Sequence, residues 1–428
     1  MYNKKIFIAA VLFLCTVQLS VSQNNTNSPY TRFGYGDVTE STATELRGMG
    51  GVSLGNRSRN TISPLNPASY SSVDSLTFMF DIGGSARYSL FSDKDGSNKT
   101  FNANLEYLTM RFPIAKWLGV SAGLTPYSLV GYNFNQTDSL AMPVNQSYED
   151  TKNVYYYTLF NGSGGFSQVY GGLSANILNH IALGANAYYM FGEVNNYRNL
   201  IFSSSSTYQS VTYANKIKAS DFRFRYGIQL YNTFAEKHDV VLGAIYEGKT
   251  KFNGKYSAIA NDSTLNSVNG FELPQTLGIG LNYTYNKQLT VGVDVTNQGW
   301  GKALFFNKTD SLVNTTKIAL GAEYIPNPMG RKYTDRIRYR IGFNTVNAYY
   351  HSGADKLPNN YTISLGVGFP TKTSKSMMNA SLEYGKMGSS LLKENYLKLT
   401  FSESTAFGAL GISRAGSRKN CTTKMAMM

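Results

Sequence analysis

Three arginines alternate through Arg336-Ile337-Arg338-Tyr339-Arg340-Ile341-Gly342-Phe343, and two more alternate through Phe222-Arg223-Phe224-Arg225-Tyr226. A guanidinium offers a planar fork of donors that matches a carboxylate. Arg223, Arg225, Arg336, Arg338 and Arg340 are therefore candidates to hold an anionic head group such as that of a fatty acid. They could equally pair with acids in similar alternating contexts, among them Asp81, Glu106, Asp294, Glu323 and Glu383, and so brace the fold. The two roles coexist only if some arginine stays unpaired. Catalytic chemistry has less to work with. His180, His238 and His351 fall at expected connectors or strand ends, and the only cysteines are Cys15 and Cys421. No metal-ligand spacing results. Gly48-Met49-Gly50-Gly51 lacks the Gly-Lys-Ser/Thr ending of a phosphate loop, and Gly162-Ser163-Gly164-Gly165 reads as a flexible entry into a strand. The expectation is no enzyme activity, no metal and no cofactor.

The elements that carry these arginines must be strands, because successive strand side chains point to opposite faces. Ile337, Tyr339, Ile341 and Phe343 share one face and the arginines the other. The same alternation runs through Leu76-Phe78-Phe80-Ile82, through Phe101-Ala103-Leu105-Tyr107, and through Leu289-Val291-Val293-Val295. It continues in Ile318-Leu320-Ala322-Tyr324 and Leu397-Leu399-Phe401. The spacing predicts 14 strands, near 76–91, 101–113, 117–134, 166–177, 181–203, 217–234, 238–252, 271–286, 288–300, 315–325, 335–350, 359–370, 377–388 and 394–402. Many exceed the usual strand length of a globular protein. Short connectors (114–116, 178–180, 235–237, 287, 326–334, 371–376) take turns with longer polar ones (92–100, 135–165, 204–216, 253–270, 301–314, 351–358, 389–393). Residues 326–334 are long for the first kind and 389–393 short for the second. Such a chain reads as an all-β transmembrane barrel of antiparallel strands with apolar residues facing lipid. An even strand count places both termini at the periplasmic rim. Tyr88, Phe134, Tyr188, Tyr283 and Phe369 are candidates for the interfacial girdles.

Bulk properties agree. The chain has 428 residues with 14% aromatic content, dominated by 32 Tyr and 24 Phe, and 40 Gly. No stretch of the mature chain reaches the roughly 18 apolar residues of a spanning helix. Residues 1–22 have the form of a secretory signal, with Lys4 and Lys5 before an apolar run and Ser20-Val21-Ser22 at the cleavage site. Cys15 comes after Leu14, which is too large for lipoprotein processing. Removing the signal lowers the formal charge from +14 to +12 and leaves Cys421 as the single thiol, so no internal disulfide can form. For an exported chain this positive charge points to an arginine-bearing lumen and basic loops facing anionic lipid, not to nucleic acid.

Residues 23–75 differ from the rest of the chain. They hold Pro29, Pro64 and Pro67, a possible short helix at Thr42–Arg47 and the glycine-rich segment. Gly48-Met49-Gly50-Gly51-Val52-Ser53-Leu54, with Asn66-Pro67-Ala68-Ser69 and a barrel pattern after it, resembles the FadL/TodX family of outer-membrane transporters for hydrophobic compounds. Ser28-Pro29-Tyr30-Thr31-Arg32-Phe33-Gly34-Tyr35-Gly36 looks like the form found in Bacteroidota members. The resemblance covers essentially the whole mature chain and implies that residues 23–75 form a hatch inside a barrel spanning 76–402. It further implies a hydrophobic ligand beside the hatch residues Gly48, Gly50, Gly51, Asn66, Pro67 and Ala68. That ligand would leave sideways through a gap at the third strand. Gly123-Leu124-Thr125-Pro126 offers a physical counterpart, since proline donates no ladder hydrogen bond. Gly123, Thr125 and Pro126 could line that gate or form a local bulge.

The leading expectation is an outer-membrane channel for passive uptake of fatty-acid-like molecules. The alternative is a non-transporting barrel subunit of an outer-membrane secretion or protein-assembly complex. Expected partners are outer-membrane lipid and lipopolysaccharide, a hydrophobic small molecule, and envelope proteins reached through the long loops or the tail. Residues 403–428, with Arg414, Arg418, Lys419 and Lys424, have no role that the sequence assigns.

Overall fold

The computed structural model describes residues 26–74, 77–94, 96–143, 151–202, 209–260, 263–268, 270–309, 312–351, 359–371, 376–389 and 392–408. The signal segment and most of the C-terminal tail, with Cys421, lie outside the described residues. Fourteen antiparallel strands form the wall. They are β1 (Thr77–Ser92), β2 (Ser97–Ala115), β3 (Leu118–Pro143), β4 (Thr151–Asn176), β5 (Ile181–Phe202), β6 (Val211–Phe234) and β7 (His238–Glu247). The second half is β8 (Thr276–Tyr285), β9 (Leu289–Gln298), β10 (Thr315–Tyr324), β11 (Arg338–Val346), β12 (Asn360–Pro370), β13 (Ser376–Gly388) and β14 (Lys393–Gly408). Each strand pairs with its neighbour, and β14 pairs with β1 from Lys393↔Ser92 to Gly408↔Thr77, which closes the sheet.

The ring closes with one gap, where the second and third strands part beyond Leu108↔Leu124, and the alternation sorts the side chains. Phe222, Phe224, Tyr226, Ile228 and Leu230 on β6 are exposed, whereas Arg223, Arg225 and Gln229 are buried. An exposed apolar face is the expected state of a wall whose solvent is lipid. Among the described residues no helix is long and apolar enough to cross a membrane.

Several boundaries differ from the sequence expectation. The segments 135–143, 151–165 and 211–216 are strand, not loop: β3 and β4 each run 26 residues. About 9–11 residues suffice to cross a bilayer, so these strands project well beyond it. Their outer parts mix Asn, Thr, Ser and Gly with Tyr and Phe, which gives them a loop-like composition, and pairing with each other satisfies their backbones. Gly164 and Gly165, expected in a flexible loop, lie inside β4 with φ of 108° and 140°, and the next residue, Phe166, pairs with Gly192 of β5, whose φ is 153°. A side chain there would be strained, so glycine lets the sheet bend beside the β3 bulge between Pro126 and Ser128.

The seventh strand ends at Glu247 and not at 252. The chain then turns inward, burying Phe252 and pairing Thr250–Phe252 with Phe271–Leu273. Gly254–Ala260 afterwards pairs with the outer half of β6 and with Ser263–Val268, forming a hairpin within the stretch expected to be loop. At the other end, β14 continues past 402 to Gly408. Ser404 still points inward and Phe407 outward, so the alternation persists.

The N-terminal segment, residues 26–74, packs against the inner face of the wall. It contains short 3-10 turns at Pro29–Arg32 and Pro67–Ser72, a two-residue strand Asp37–Val38, and one helical turn, α1 (Thr44–Arg47). Asn66 caps the second 3-10 turn by accepting from the Ala68 N–H at 3.1 Å, and Pro67 starts it without an orphan donor. Its backbone comes so near the wall that wall side chains are excluded. A Cβ on Gly184 would sit 2.4 Å from Pro67 C, on Gly243 1.9 Å from Leu54 O, and on Gly321 2.2 Å from Met49 O. On Gly342 it would sit 1.9 Å from Gly50 N.

Gly321→Val and Gly342→Val should therefore unseat the N-terminal segment, while Ala322→Val on the lipid face should not. Overpacking of this kind costs about 1–3 kcal/mol. Limited proteolysis of folded, detergent-solubilised protein would read it: faster cleavage between residues 26 and 74 in the two glycine variants only.

Candidate functional site

The inner-face arginines of β6 and β11 are held by acids. Glu247, at the inward end of β7, accepts from both Arg223 and Arg225, the latter at 2.9 Å. Arg223 also donates to Gln168 Oε1 at 3.0 Å and lies over the rings of Tyr127 and Tyr188. Glu323 on β10 takes Arg338 at 3.1 Å and Arg340 at 2.6 Å, and Arg340 donates to Asn379 Oδ1 at 3.0 Å. Arg336 departs from the expectation. It belongs to a 3-10 turn (Thr334–Arg336) before β11 starts, so it is not a lumen residue of that strand. The connector folds back on itself, with Asn327 N–H donating to Asp335 O at 2.8 Å, and this consumes residues whose alternation suggests strand.

Of the acids expected to pair with them, Glu323 does so. Glu106 instead takes Arg47 of the N-terminal segment at 2.7 Å and Lys398 at 2.7 Å, and Glu383 lies 3.8 Å from Arg47. Burial alone would lower the Arg47 pKa, but these carboxylates raise it. Asp294 accepts the backbone N–H groups of Ser53 at 2.6 Å and Leu54 at 2.8 Å. Asp81 is fully buried and has no ion pair among the described residues. Burial pushes the Glu45 carboxyl up, opposed by Arg340. Further pairs tie segment to wall: Lys317 with Glu40, Arg87 with Asp37 at 3.4 Å, and Ser28 Oγ donating to Glu394 at 2.8 Å. Arg111 on β2 has no carboxylate partner among the described residues, and its guanidinium donates instead to the carbonyls of Ser58, Arg59 and Ser69.

The glycine-rich and Asn-Pro-Ala residues act as seat points. Gly50 N–H donates to Ser364 Oγ at 3.0 Å and Gly50 O accepts from Asn344 at 3.0 Å. Gly48 lies against Gly366, and Gly51 has φ +87°. Asn66 donates to Leu54 O at 2.7 Å, Pro67 packs on Gly184 and Gly227, and Ala68 O accepts from Ser174 at 2.8 Å. The cavity beside Gly50 and Gly51 has a volume of about 270 Å³ and a mixed lining, with Arg47, Arg87, Lys317 and Glu383 beside Tyr349, Tyr350, Val346 and Met387.

At the third strand, the β2–β3 ladder stops at Leu108↔Leu124. Beyond it β3 pairs with β4 alone, and the N-terminal segment covers its other edge. Asp37↔Leu129 and Val38↔Ser128 are strand pairs, Ser28 N–H donates to Gly131 O at 2.9 Å, and Thr39 Oγ1 donates to Pro126 O at 3.1 Å. Thr125 Oγ1 accepts from Ser41 at 2.9 Å and from Gln168 at 3.0 Å. Gly123 leaves room for Tyr170 and the Leu108 carbonyl. Outside this covered edge lies a cavity of about 730 Å³ lined by Tyr30, Phe33, Phe91 and Phe134 together with polar groups of β2 and β3.

Two features escape sequence reasoning. Glu247 falls inside the expected strand 238–252, and only its parity with Gly243 and Ile245 marks it as inward. The other is an aromatic cap over the lumen. Tyr35 lies 5.1–6.4 Å, centroid to centroid, from Phe166, Phe252, Phe271, Trp300 and Phe305. Its N–H donates to Tyr349 Oη at 2.9 Å and its hydroxyl to Glu272 O at 3.1 Å. Most of these residues come from connectors, where no periodicity announces them.

Removing a shared acid should be severe. Glu247→Gln leaves two buried arginines without their counter-charge, and breaking such a buried pair costs about 3–5 kcal/mol. Urea unfolding in detergent should show that loss, whereas Lys216→Gln at an exposed pair should shift stability by under about 1 kcal/mol.

Solved structures share this fold. The chain is similar to a Pseudomonas aeruginosa FadL homologue (TM-score 0.57, 14% identity, covering 87% of this chain and 99% of that one). It is also similar to the Pseudomonas putida toluene transporter TodX (0.56, 16%, 90% and 100%) and the Ralstonia pickettii toluene transporter TbuX (0.55, 13%, 85% and 98%). No curated protein matches the sequence. The family model described as BamG matches residues 2–405, and the chain belongs to the BamG family.

Proposed function

We propose that this protein is a sealed outer-membrane barrel that works as a structural subunit of an envelope secretion or protein-assembly complex, without catalysis and without passing solute through its lumen. One observation carries the reading: the lumen is occupied by residues 26–74, seated backbone to backbone on wall glycines, and the inward arginines of β6 and β11 are each paired with Glu247 or Glu323. An uptake site for an acidic lipid would keep a free cation beside an apolar pocket. Within the lumen Arg223, Arg225, Arg338 and Arg340 have carboxylates; the cation beside an apolar pocket is Arg32, which lies at the aromatic cavity outside the seam with no carboxylate partner among the described residues. On this reading residues 23–75 are a hatch that functions as a fixed plug. The rim with short connectors, which receives both Thr77 and Gly408, faces the periplasm, the outer wall contacts lipid and lipopolysaccharide, and the projecting strands β3 to β6 and the tail after Gly408 offer surface to partners.

Uptake of a hydrophobic small molecule is the second reading, favoured by the seam where the β2–β3 ladder stops and by the aromatic cavity outside it. The hatch would have to release β3 for a ligand to move from that cavity to the lumen. Membership of the BamG family and likeness to hydrocarbon channels are compatible with either reading.

Gentle extraction from native membranes with mass spectrometry of the extract separates them. The sealed-subunit reading expects stoichiometric envelope proteins and no retained hydrophobic ligand. A barrel recovered alone with a bound hydrocarbon or fatty acid would overturn it.

A further inference from the structure

The connector 325–337 is longer than its rim requires, and the wall does not need it. It is nonetheless ordered. Ile325 N–H donates to Gln288 O at 2.8 Å, Gln288 Nε2 to Pro326 O at 2.6 Å, and Gly330 N–H to Asn327 O at 3.0 Å. Asn286 N–H donates to Lys237 O at 2.7 Å, so three neighbouring turns join into one ledge. The ledge carries Lys237, Lys287, Arg331, Lys332 and Arg336 against Glu236 and Asp335, and none of the seven is in an ion pair among the described residues. Its tip, Met329, is 87% exposed and Tyr333 is also exposed.

Ledge residues Lys287, Ile325 and Pro328 also form one lip of a bowl of about 660 Å³ that opens within the wall on the short-connector side. Its floor is the hatch stretch Gly55–Thr61. Arg57 lies there with no carboxylate partner among the described residues: it donates to Asn176 Oδ1 at 2.7 Å and to Gln229 Oε1 at 3.2 Å, and stacks on Tyr231. The bowl itself is mixed in charge, with Glu45, Asp74, Asp239 and Glu323 beside Arg57, Arg59, Lys287, Arg338 and Arg340, so the excess of positive charge and the apolar tip lie on the ledge that borders it.

We infer that this ledge, at the edge of the bowl, docks an acidic segment of a periplasmic polypeptide, with the acid side chains on the ledge cations and an apolar residue against Met329 and Tyr333. This rests on the subunit reading and names a surface for it. Charge complementarity selects an acidic occupant. A polypeptide fits better than a phospholipid because the ledge borders a bowl inside the strand ring whose lining alternates polar groups (Asn56, Ser58, Asn60, Thr61) with apolar ones (Met49, Val240, Val241), as a peptide's backbone and side chains would require. Phospholipid head groups lie outside that ring.

The test uses purified full-length protein in detergent and two fluorescent peptides of equal length, one rich in Asp and Glu and one neutral. Wild type should bind the acidic peptide and not the neutral one, and affinity should fall with salt. The K287E/R331E/K332E variant should bind it about tenfold or more weakly, while K94E/K99E at the opposite rim should match wild type. Equal binding of both peptides, an unchanged affinity in the ledge variant, or a ledge effect confined to phosphatidylglycerol vesicles would overturn the inference. Native extraction distinguishes its failure from that of the subunit reading. A complex that survives intact in the ledge variant removes the docking site and leaves the subunit reading standing. If wild type yields no complex, both fall.

Discussion

The structure depends on contact between the backbone of residues 26–74 and the inner wall at positions where only glycine fits. A barrel of fourteen strands encloses more space than its own side chains fill, and in a bilayer that space must be water or protein. Here it is protein. Because Gly184, Gly243, Gly321 and Gly342 carry no Cβ, the segment approaches to main-chain contact and can satisfy its amides on wall groups such as Ser364, Asn344 and Asp294. The segment has almost no regular secondary structure, so without the wall most of its backbone groups would lack partners.

The charge pattern is a consequence of this filling. Once the lumen excludes bulk water, an arginine on the inner face needs a carboxylate, or several carbonyls, at hydrogen-bond distance. Glu247 and Glu323 each serve two arginines, and Glu106 serves Arg47 and Lys398. Arg111 takes the other course and holds three carbonyls of the hatch. Among the described residues, positive charge without a carboxylate lies in Arg111, in Arg57 and on the ledge towards one rim, and in Arg32 and Arg198 over Phe160 towards the other. The seam at β3 obeys the same rule for backbone groups. Where β2 stops pairing, the hatch supplies the missing strand, and Pro126, which could not donate to a ladder, marks the place.

Much of this is readable from residue types. Strand parity places Arg223 and Arg225 inward and Phe222 and Phe224 outward, because lipid on one side and protein on the other leave no latitude in register. Proline in the third strand announces the break in its ladder. What parity cannot supply is the partner of each arginine, since Glu247 reaches Arg223 through pairing of the sheet and not through nearness in sequence. Arg336 misleads because its neighbours alternate while the turn they belong to is held by Asn327 and Asp335. Strands beyond the bilayer, such as the outer halves of β3 and β4, mix Asn, Thr, Ser and Gly with their Tyr and Phe and so read as loop. The aromatic cap on Tyr35 gathers residues from connectors, where spacing says nothing about contact.

The central claim is that the hatch need not move. Ser41 Oγ and Thr125 Oγ1 lie 2.9 Å apart, joining hatch to third strand next to Pro126. Cysteines at these two positions, with Cys421 replaced by serine, would form a disulfide that locks the seam. The measurement is recovery of the native complex, alongside toluene uptake, in cells carrying this pair under oxidising and then reducing conditions. The account predicts that the complex forms equally well with the lock closed and that opening the lock changes no uptake. Uptake that disappears on oxidation and returns on reduction would contradict it and make the hatch a moving gate.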